Sequence, residues 1–179
     1  MIIIVEGMDG TGKTTLVQQL AHRLEVKPRK YVGSLGPSDD YRLALVNRTI
    51  SEITELEIDS ALEIASARRR PVKRLYDRFP LISEAIYGPT LRGRNCFGVQ
   101  YYSVRRRLLA LKTVIIYCRP PKAVIRSNVQ QTPQMPGVLE HFDELLDAYD
   151  QLFLELTDSP MNSYITVFDY TRDKVPELI

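Results

Sequence analysis

Residues 1–24 read MIIIVEGMDGTGKTTLVQQLAHRL, and three signals follow one another there without a gap. The first six residues are a continuous, mostly β-branched run, the pattern of a central strand buried on both faces. Gly7-Met8-Asp9-Gly10-Thr11-Gly12-Lys13-Thr14 then satisfies G-x-x-x-x-G-K-[ST] at every fixed position. Over residues 13–25, Leu16, Val17, Leu20 and Leu24 fall on one helical stripe. A strand, a glycine-rich turn and a helix in that order are the context in which this motif cradles phosphate. The glycines permit tight turns in which successive N–H groups converge on phosphate oxygens, and the helix aims its positive dipole end at the same anion. Gly7, Gly10, Thr11, Gly12, Lys13, Thr14 and Thr15 are therefore the expected contacts to a nucleoside triphosphate. Lys13 should reach its β- and γ-phosphates, and the Thr14 hydroxyl should ligate Mg²⁺.

Outward from that stretch, strand and helix alternate, the order of an α/β domain with a parallel sheet. Residues 30–33 read as a short second strand. Ser38 caps the next element, with Asp39 and Asp40 in its first turn, and 39–69 is largely helical with a break near 56–59. Pro71 introduces a third strand over 72–76, which ends at Asp77-Arg78. A helix is expected over 97–111, then a buried strand at Thr113–Cys118, then a short helix opened by Pro120 or Pro121 and running to Asn128. Residues 138–156 carry the clearest amphipathic pattern: Leu139, Phe142, Leu145, Leu146, Tyr149, Leu152, Phe153 and Leu156 step by three or four. Tyr164–Phe168 is the fifth strand. The expected fold is an α/β three-layer sandwich of the P-loop kind, five parallel strands flanked by helices, in a single domain over 1–179. Its ligands should bind at the carboxyl ends of the strands. The polar, proline-punctuated segment 127–138 (SNVQQTPQMPGV) is positioned as a short lid over the phosphate site.

Bulk properties narrow the class. A chain of 179 residues can bury a sizeable core without disulfides. No apolar run nears the roughly 20 residues of a membrane span, and acidic Glu6 follows the first apolar run at once, unlike a signal peptide. Cys96 and Cys118 lack metal-ligand spacing and read as reduced thiols. A cytoplasmic protein with no membrane partner is expected. The net charge of +2 conceals a division. Residues 68–112 hold twelve basic side chains against Asp77 and Glu84, a net of +10, whereas 139–179 hold ten acids against Arg172 and Lys174, a net of −8. Such asymmetry suits a bound polyanion, or two segments that solvate or pair with each other across the fold.

Asp77-Arg78 is the second chemical constellation. At the end of a strand neighbouring the phosphate-loop strand, Asp77 could hold Mg²⁺ through water or accept a proton, while Arg78 clamps an anionic oxygen. Arg92, Arg94, Arg119 and Arg126 are further candidates for phosphate contacts.

The run Val5-Glu6-Gly7-Met8-Asp9-Gly10-Thr11-Gly12-Lys13-Thr14-Thr15 resembles the N-terminus of thymidylate kinases, whose P-loop typically reads EGxDGxGKST. Asp9, which the general motif does not require, would lie by the sugar hydroxyl of the substrate nucleotide. Asp77-Arg78-Phe79 is similar to the DRY signature of that family, and Ser83, Ala85 and Tyr87 loosely echo the S-x-x-A-Y that follows it. The resemblance implies ATP as donor, Mg²⁺, a pyrimidine deoxynucleotide acceptor with dTMP first, a sheet with the P-loop strand central, and a homodimer. Catalytic roles fall to Lys13, Asp77, Arg78 and Asp9, and acceptor contacts to Asp9, Arg78, Tyr87, Arg92 and Arg105.

The departures point elsewhere. Where that family carries an arginine-containing segment after the second strand, residues 33–38 hold none; Gly88 stands for a glutamine; and the lid has no arginine or lysine. That work would fall to Lys13, Arg119 or Arg126. Either the basic stretch replaces the lost contacts, or the acceptor is not a free monophosphate. Bacteriophage relatives that phosphorylate 5-hydroxymethyluracil within DNA suit the second case, as does a kinase of strand ends. An ordinary deoxynucleoside kinase fits less well, because that family places a general-base glutamate after the second strand. A P-loop ATPase or switch with no small-molecule acceptor is the remaining alternative.

Overall fold

The computed structural model describes residues 1–30, 39–66, 73–158 and 163–177. Five strands, β1 (Ile2–Glu6), β2 (Arg29–Lys30), β3 (Arg74–Asp77), β4 (Thr113–Cys118) and β5 (Tyr164–Phe168), form one sheet in the order β2-β3-β1-β4-β5. Every pairing is parallel, and β1 is central, with Val5 beside Asp77 on one side and Ile116 on the other. All five residues of β1 are buried, as a strand covered on both faces requires.

Alternation along the strands builds two cores. Ile3, Val5, Leu75, Ile116 and Cys118 face Leu16, Val17 and Leu20 of α1 (Lys13–Leu24). Ile2, Ile4, Tyr76, Ile115 and Tyr117 face the opposite way, onto α2 (Asp39–Ala65), α3 (Pro80–Arg92), α4 (Tyr101–Ala110) and α6 (Phe142–Thr157). Each fully buried Ile or Leu here contributes about 1.5–3 kcal/mol. Helix, sheet and helix are the three layers.

Several expectations change. Helix α2 runs unbroken through 56–59, because nothing there is a helix breaker and Ile53 and Leu56 bury into the core. Helix α3 is one that periodicity does not announce. It begins with Pro80 in its first turn, contains Pro89, and buries Pro80, Leu81, Ile82, Glu84, Ile86, Tyr87 and Gly88, so it shows no polar stripe and carries breaker residues. The 97–111 helix begins with a 3₁₀ turn, Gly98–Gln100, and 138–141 are turn residues rather than the start of α6. The third strand keeps Asp77 inside it; of the expected second strand Lys30, with Arg29 before it, is in β2. Residues 31–33, Val72 and the Ser38 cap lie outside the described residues. Among the described residues, no helix is long and apolar enough to cross a membrane.

Candidate active site at the carboxyl ends of the strands

Beyond the end of β1 the chain enters the loop through Gly7 and leaves it through Gly12, which caps α1 with φ +83°. Helix α1 has no side-chain cap and no acidic residue in its first turn. Its first N–H groups are therefore left for an anion. Lys13 is buried and folds back so that Nζ donates to Met8 O at 2.6 Å, and the Thr11 hydroxyl donates to the same carbonyl at 2.8 Å. Thr11 thus braces the loop from within, while Thr14 and Thr15 are exposed at the start of α1. Burial, with Arg78 adding to it, pushes the Lys13 ammonium down to about 8.

The loop is bracketed from outside. The Asn128 side-chain amide, on α5 (Lys122–Gln130), donates to Gly10 O at 2.8 Å and to the Tyr170 hydroxyl at 2.9 Å. The Tyr170 ring lies where a Gly12 side chain would be, 2.7 Å from an ideal Cβ. Gly12→Ala should therefore combine left-handed backbone strain of about 1–2 kcal/mol with a clash against that ring. We expect triphosphate affinity, read by calorimetry, to fall at least tenfold, a loss of about 1.4 kcal/mol. Unchanged affinity would show that the loop is not the phosphate cradle.

On the other side of the loop, Asp9 meets Arg78. Arg78 Nη2 donates to Asp9 Oδ1 at 2.7 Å and to the Tyr87 hydroxyl at 3.3 Å, and its Nη1 donates to the Tyr149 hydroxyl at 3.1 Å. Tyr87 in turn donates to Asp9 Oδ2 at 3.0 Å, with the Arg78 guanidinium 5.0 Å from its ring centroid. Burial opposes ionisation of Asp9, but Arg78 and Lys13 outweigh it and hold the carboxyl below its ordinary range. Burial pushes the Tyr87 phenol up to about 12. Beneath this cluster lies Glu6, wholly buried, accepting from Phe79 N–H, the Ser83 hydroxyl and Gly7 N–H. Burial raises its pKa against the pull of Arg78, the Phe79 N–H and Lys13.

Asp77 and Arg78 are adjacent in sequence yet serve opposite faces of the sheet. Asp77 shares the α1 face with Leu75 and is buried, with Lys30 Nζ at 3.6 Å, whereas Arg78 reaches Tyr149 of α6. Asp77 thus stands on the face of the sheet that α1 covers, with Thr14 in the first turn of that helix. A hydroxyl and one carboxylate, completed by triphosphate oxygens and water, are the hard donors that Mg²⁺ takes. Among the described residues no cluster of three or more His, Cys, Asp or Glu offers a cation site by itself.

The remaining arginines lie apart from the Asp9 cluster or are already engaged. Arg92 is tied to buried Glu84 at 2.6 Å within α3. Arg105 faces Glu155, near the end of α6, at 4.0 Å and lies over the Tyr101 ring. Arg119, just past β4, makes a bidentate pair with Asp150, both bonds at 2.8 Å, beside the Tyr117 hydroxyl. Arg126, on α5, pairs with Asp143 at 2.7 Å and covers the Phe142 ring. Arg68, Arg69 and Arg70 lie outside the described residues. Of the segment read as a lid, 127–130 close helix α5, and Val138 is buried in the core with Met135 packed against it.

Four contributors escape sequence reasoning in different ways. Glu6 had a signal, an acid closing a wholly apolar strand. Tyr149 reads as one more apolar stripe position, and Asn128 and Tyr170 carry no signal.

No family model matches the chain, and no curated protein matches it. Solved structures do. The YorR protein of Bacillus subtilis, in complex with phosphorylated GDP, is similar over 96% of this chain and 87% of its own, with a TM-score of 0.62 and 14% identity. Deoxyadenosine kinase from M. mycoides with bound dATP is similar over 97% of this chain and 93% of its own, with a TM-score of 0.55 and 19% identity. The same enzyme with the products dCMP and dCDP gives a TM-score of 0.56 at 18% identity, over 97% and 92%. The fold of this chain is that of the P-loop nucleotide kinases, an all-parallel five-stranded sheet flanked by helices with the phosphate loop after its central strand.

Proposed function

We propose that the chain is an ATP- and Mg²⁺-dependent kinase of a pyrimidine deoxynucleotide, with dTMP the first candidate and 127–138 its lid. The carrying observation is Asp9, which sits inside the phosphate loop and is held at 2.7 Å by Arg78, so that an anion-binding cluster adjoins the triphosphate cradle. Gly10, Gly12 and Lys13 would hold the β- and γ-phosphates, and Thr14 and Asp77 would hold Mg²⁺. The metal, when bound, supplies charge neutralisation between the β- and γ-phosphates. A phosphate oxygen of the acceptor, gripped by Arg78, attacks the γ-phosphorus as the bond to the bridging β–γ oxygen breaks and the diphosphate leaves. Lys13 offsets the charge that develops, and Asp9 orients the acceptor. A phosphate nucleophile is already ionised, so no strong base is needed.

Pairing within the basic stretch favours a free nucleotide over a polymer. Arg74, Arg92, Arg105 and Arg107 face Asp59, Glu84, Glu155 and Glu57. Charge spent on internal carboxylates is not a track for DNA. We expect glutamine at 105–107 to change nucleotide turnover within about twofold, as for exposed ion pairs. A DNA-directed enzyme would instead lose DNA affinity and salt dependence on that change. Similarity to deoxyadenosine kinase supports a second reading, a deoxynucleoside hydroxyl as acceptor with Asp9, half-exposed and ionised, as base.

Radiolabelled ATP offered with dTMP, dCMP, thymidine, deoxyadenosine and duplex DNA containing hydroxymethyluracil decides among these. Label in thymidine diphosphate supports the leading reading. Label in a nucleoside monophosphate supports the hydroxyl acceptor, label on the polymer the DNA kinase, and release of inorganic phosphate alone an ATPase.

A further inference from the structure

Glu6 has no solvent exposure, and a buried carboxylate costs several kcal/mol unless hydrogen bonds compensate. Its partners come from three elements. Oε1 accepts from Phe79 N–H at 2.6 Å and the Ser83 hydroxyl at 3.1 Å, and Oε2 accepts from Gly7 N–H at 3.3 Å and, at a long 3.5 Å, from the Tyr149 hydroxyl. Phe79 directly follows Arg78, which has φ +68°. A non-glycine residue persists in that region only where its surroundings hold it. Arg78's own N–H donates to Val5 O at 3.0 Å. The two peptide groups flanking Arg78 are thus pinned by two consecutive residues of β1, one through its carbonyl and one through its carboxylate. The second carboxylate oxygen reaches Gly7, where the phosphate loop begins. Tyr149, its fourth partner, accepts from the Arg78 guanidinium.

We infer that Glu6 is a positioning residue, which fixes the Arg78 guanidinium relative to the phosphate loop so that acceptor and donor meet in line. This rests on the kinase reading. The role requires a carboxylate, because Phe79 N–H and Gly7 N–H can only donate. Glutamine fills the same space but must turn its NH₂ toward one of them.

Acceptor kcat/KM, triphosphate Kd and Tm are to be measured for Glu6→Gln, Arg78→Ala and the double variant. We expect Glu6→Gln to melt cooperatively and to lose acceptor kcat/KM by about 30-fold or more, with triphosphate Kd within about threefold. On the Arg78→Ala background its effect should shrink to about threefold or less, since both changes remove one arrangement. Independent, multiplying losses would overturn the proposal. Should Glu6→Gln not fold, Tyr149→Phe, which removes the hydroxyl between Glu6 and Arg78, takes its place in the same cycle. If the wild-type chain transfers no phosphoryl group, the kinase reading falls, and amide exchange then decides the role of Glu6. Selective loss of protection at Gly7 and Phe79 in Glu6→Gln, with the β1–β4 ladder unchanged, supports it; uniform loss or none refutes it.

Discussion

Replacing Lys13 with methionine should lower phosphoryl transfer by at least about 10³-fold while the protein melts no earlier than wild type. The rate loss follows from the role proposed for the ammonium: losing even one neutral donor at a developing oxyanion costs about 10²–10³-fold, and here a full charge goes. Stability moves the other way. The ammonium is buried, and its pKa falls from 10.5 to about 8 on folding. Below pH 8 it is charged in both states, so its burial opposes folding by at most about 3 kcal/mol, and that penalty is relieved as pH rises from 8 toward 10.5. Methionine fills similar volume without the charge. Transfer assays and thermal melts at pH 7 check both halves. Normal turnover in this variant would remove the phosphate-loop assignment. A Tm falling by many degrees would mean instead that the bond from Lys13 to Met8 O holds the loop together.

That loop was legible because its information is local. Residues 1–24 contain the strand, the turn residues and the helix that must be contiguous for a triphosphate to be cradled. The sheet followed for a similar reason, since runs such as Thr113–Cys118 are apolar enough to be strands buried on both faces. Helix α3 was hidden because burial on most of its surface erased its period. The cluster around Asp9 was half legible. Arg78 stood out as a charge at the end of an apolar strand, and resemblance pointed to Asp9 and Tyr87. Which of the many arginines would stand free could not be read, because pairs such as Arg107 with Glu57 and Arg119 with Asp150 join residues 50 and 31 positions apart. Only packing brings those carboxylates near, and among the described residues of the +10 stretch it pairs Arg74, Arg78, Arg92, Arg105 and Arg107.

Arg78→Ala separates the two halves of the site. Three hydrogen bonds leave the guanidinium in a planar fork: Nη1 to Tyr149, Nη2 to Asp9 and Tyr87. Hydrogen bonds to charged groups contribute about 1.5–3 kcal/mol each, so losing the grip on an acceptor phosphate should cost about 10–10³-fold in acceptor kcat/KM. Triphosphate affinity should stay within about threefold, because the cradle is made by the loop and Lys13. Lysine at 78 should recover little of the loss, since a point charge cannot reproduce the fork. The substitution also leaves Asp9, partly buried, without the cation that most lowers its pKa, so that pKa should rise. On the proposed role Asp9 acts ionised, so activity is lost as pH falls through its pKa, and the acid limb of the profile should move to higher pH. Acceptor and donor kinetics measured across pH 5–8 test both effects. Equal losses for donor and acceptor would place Arg78 in the triphosphate site, and an unmoved acid limb would take Asp9 out of the chemistry.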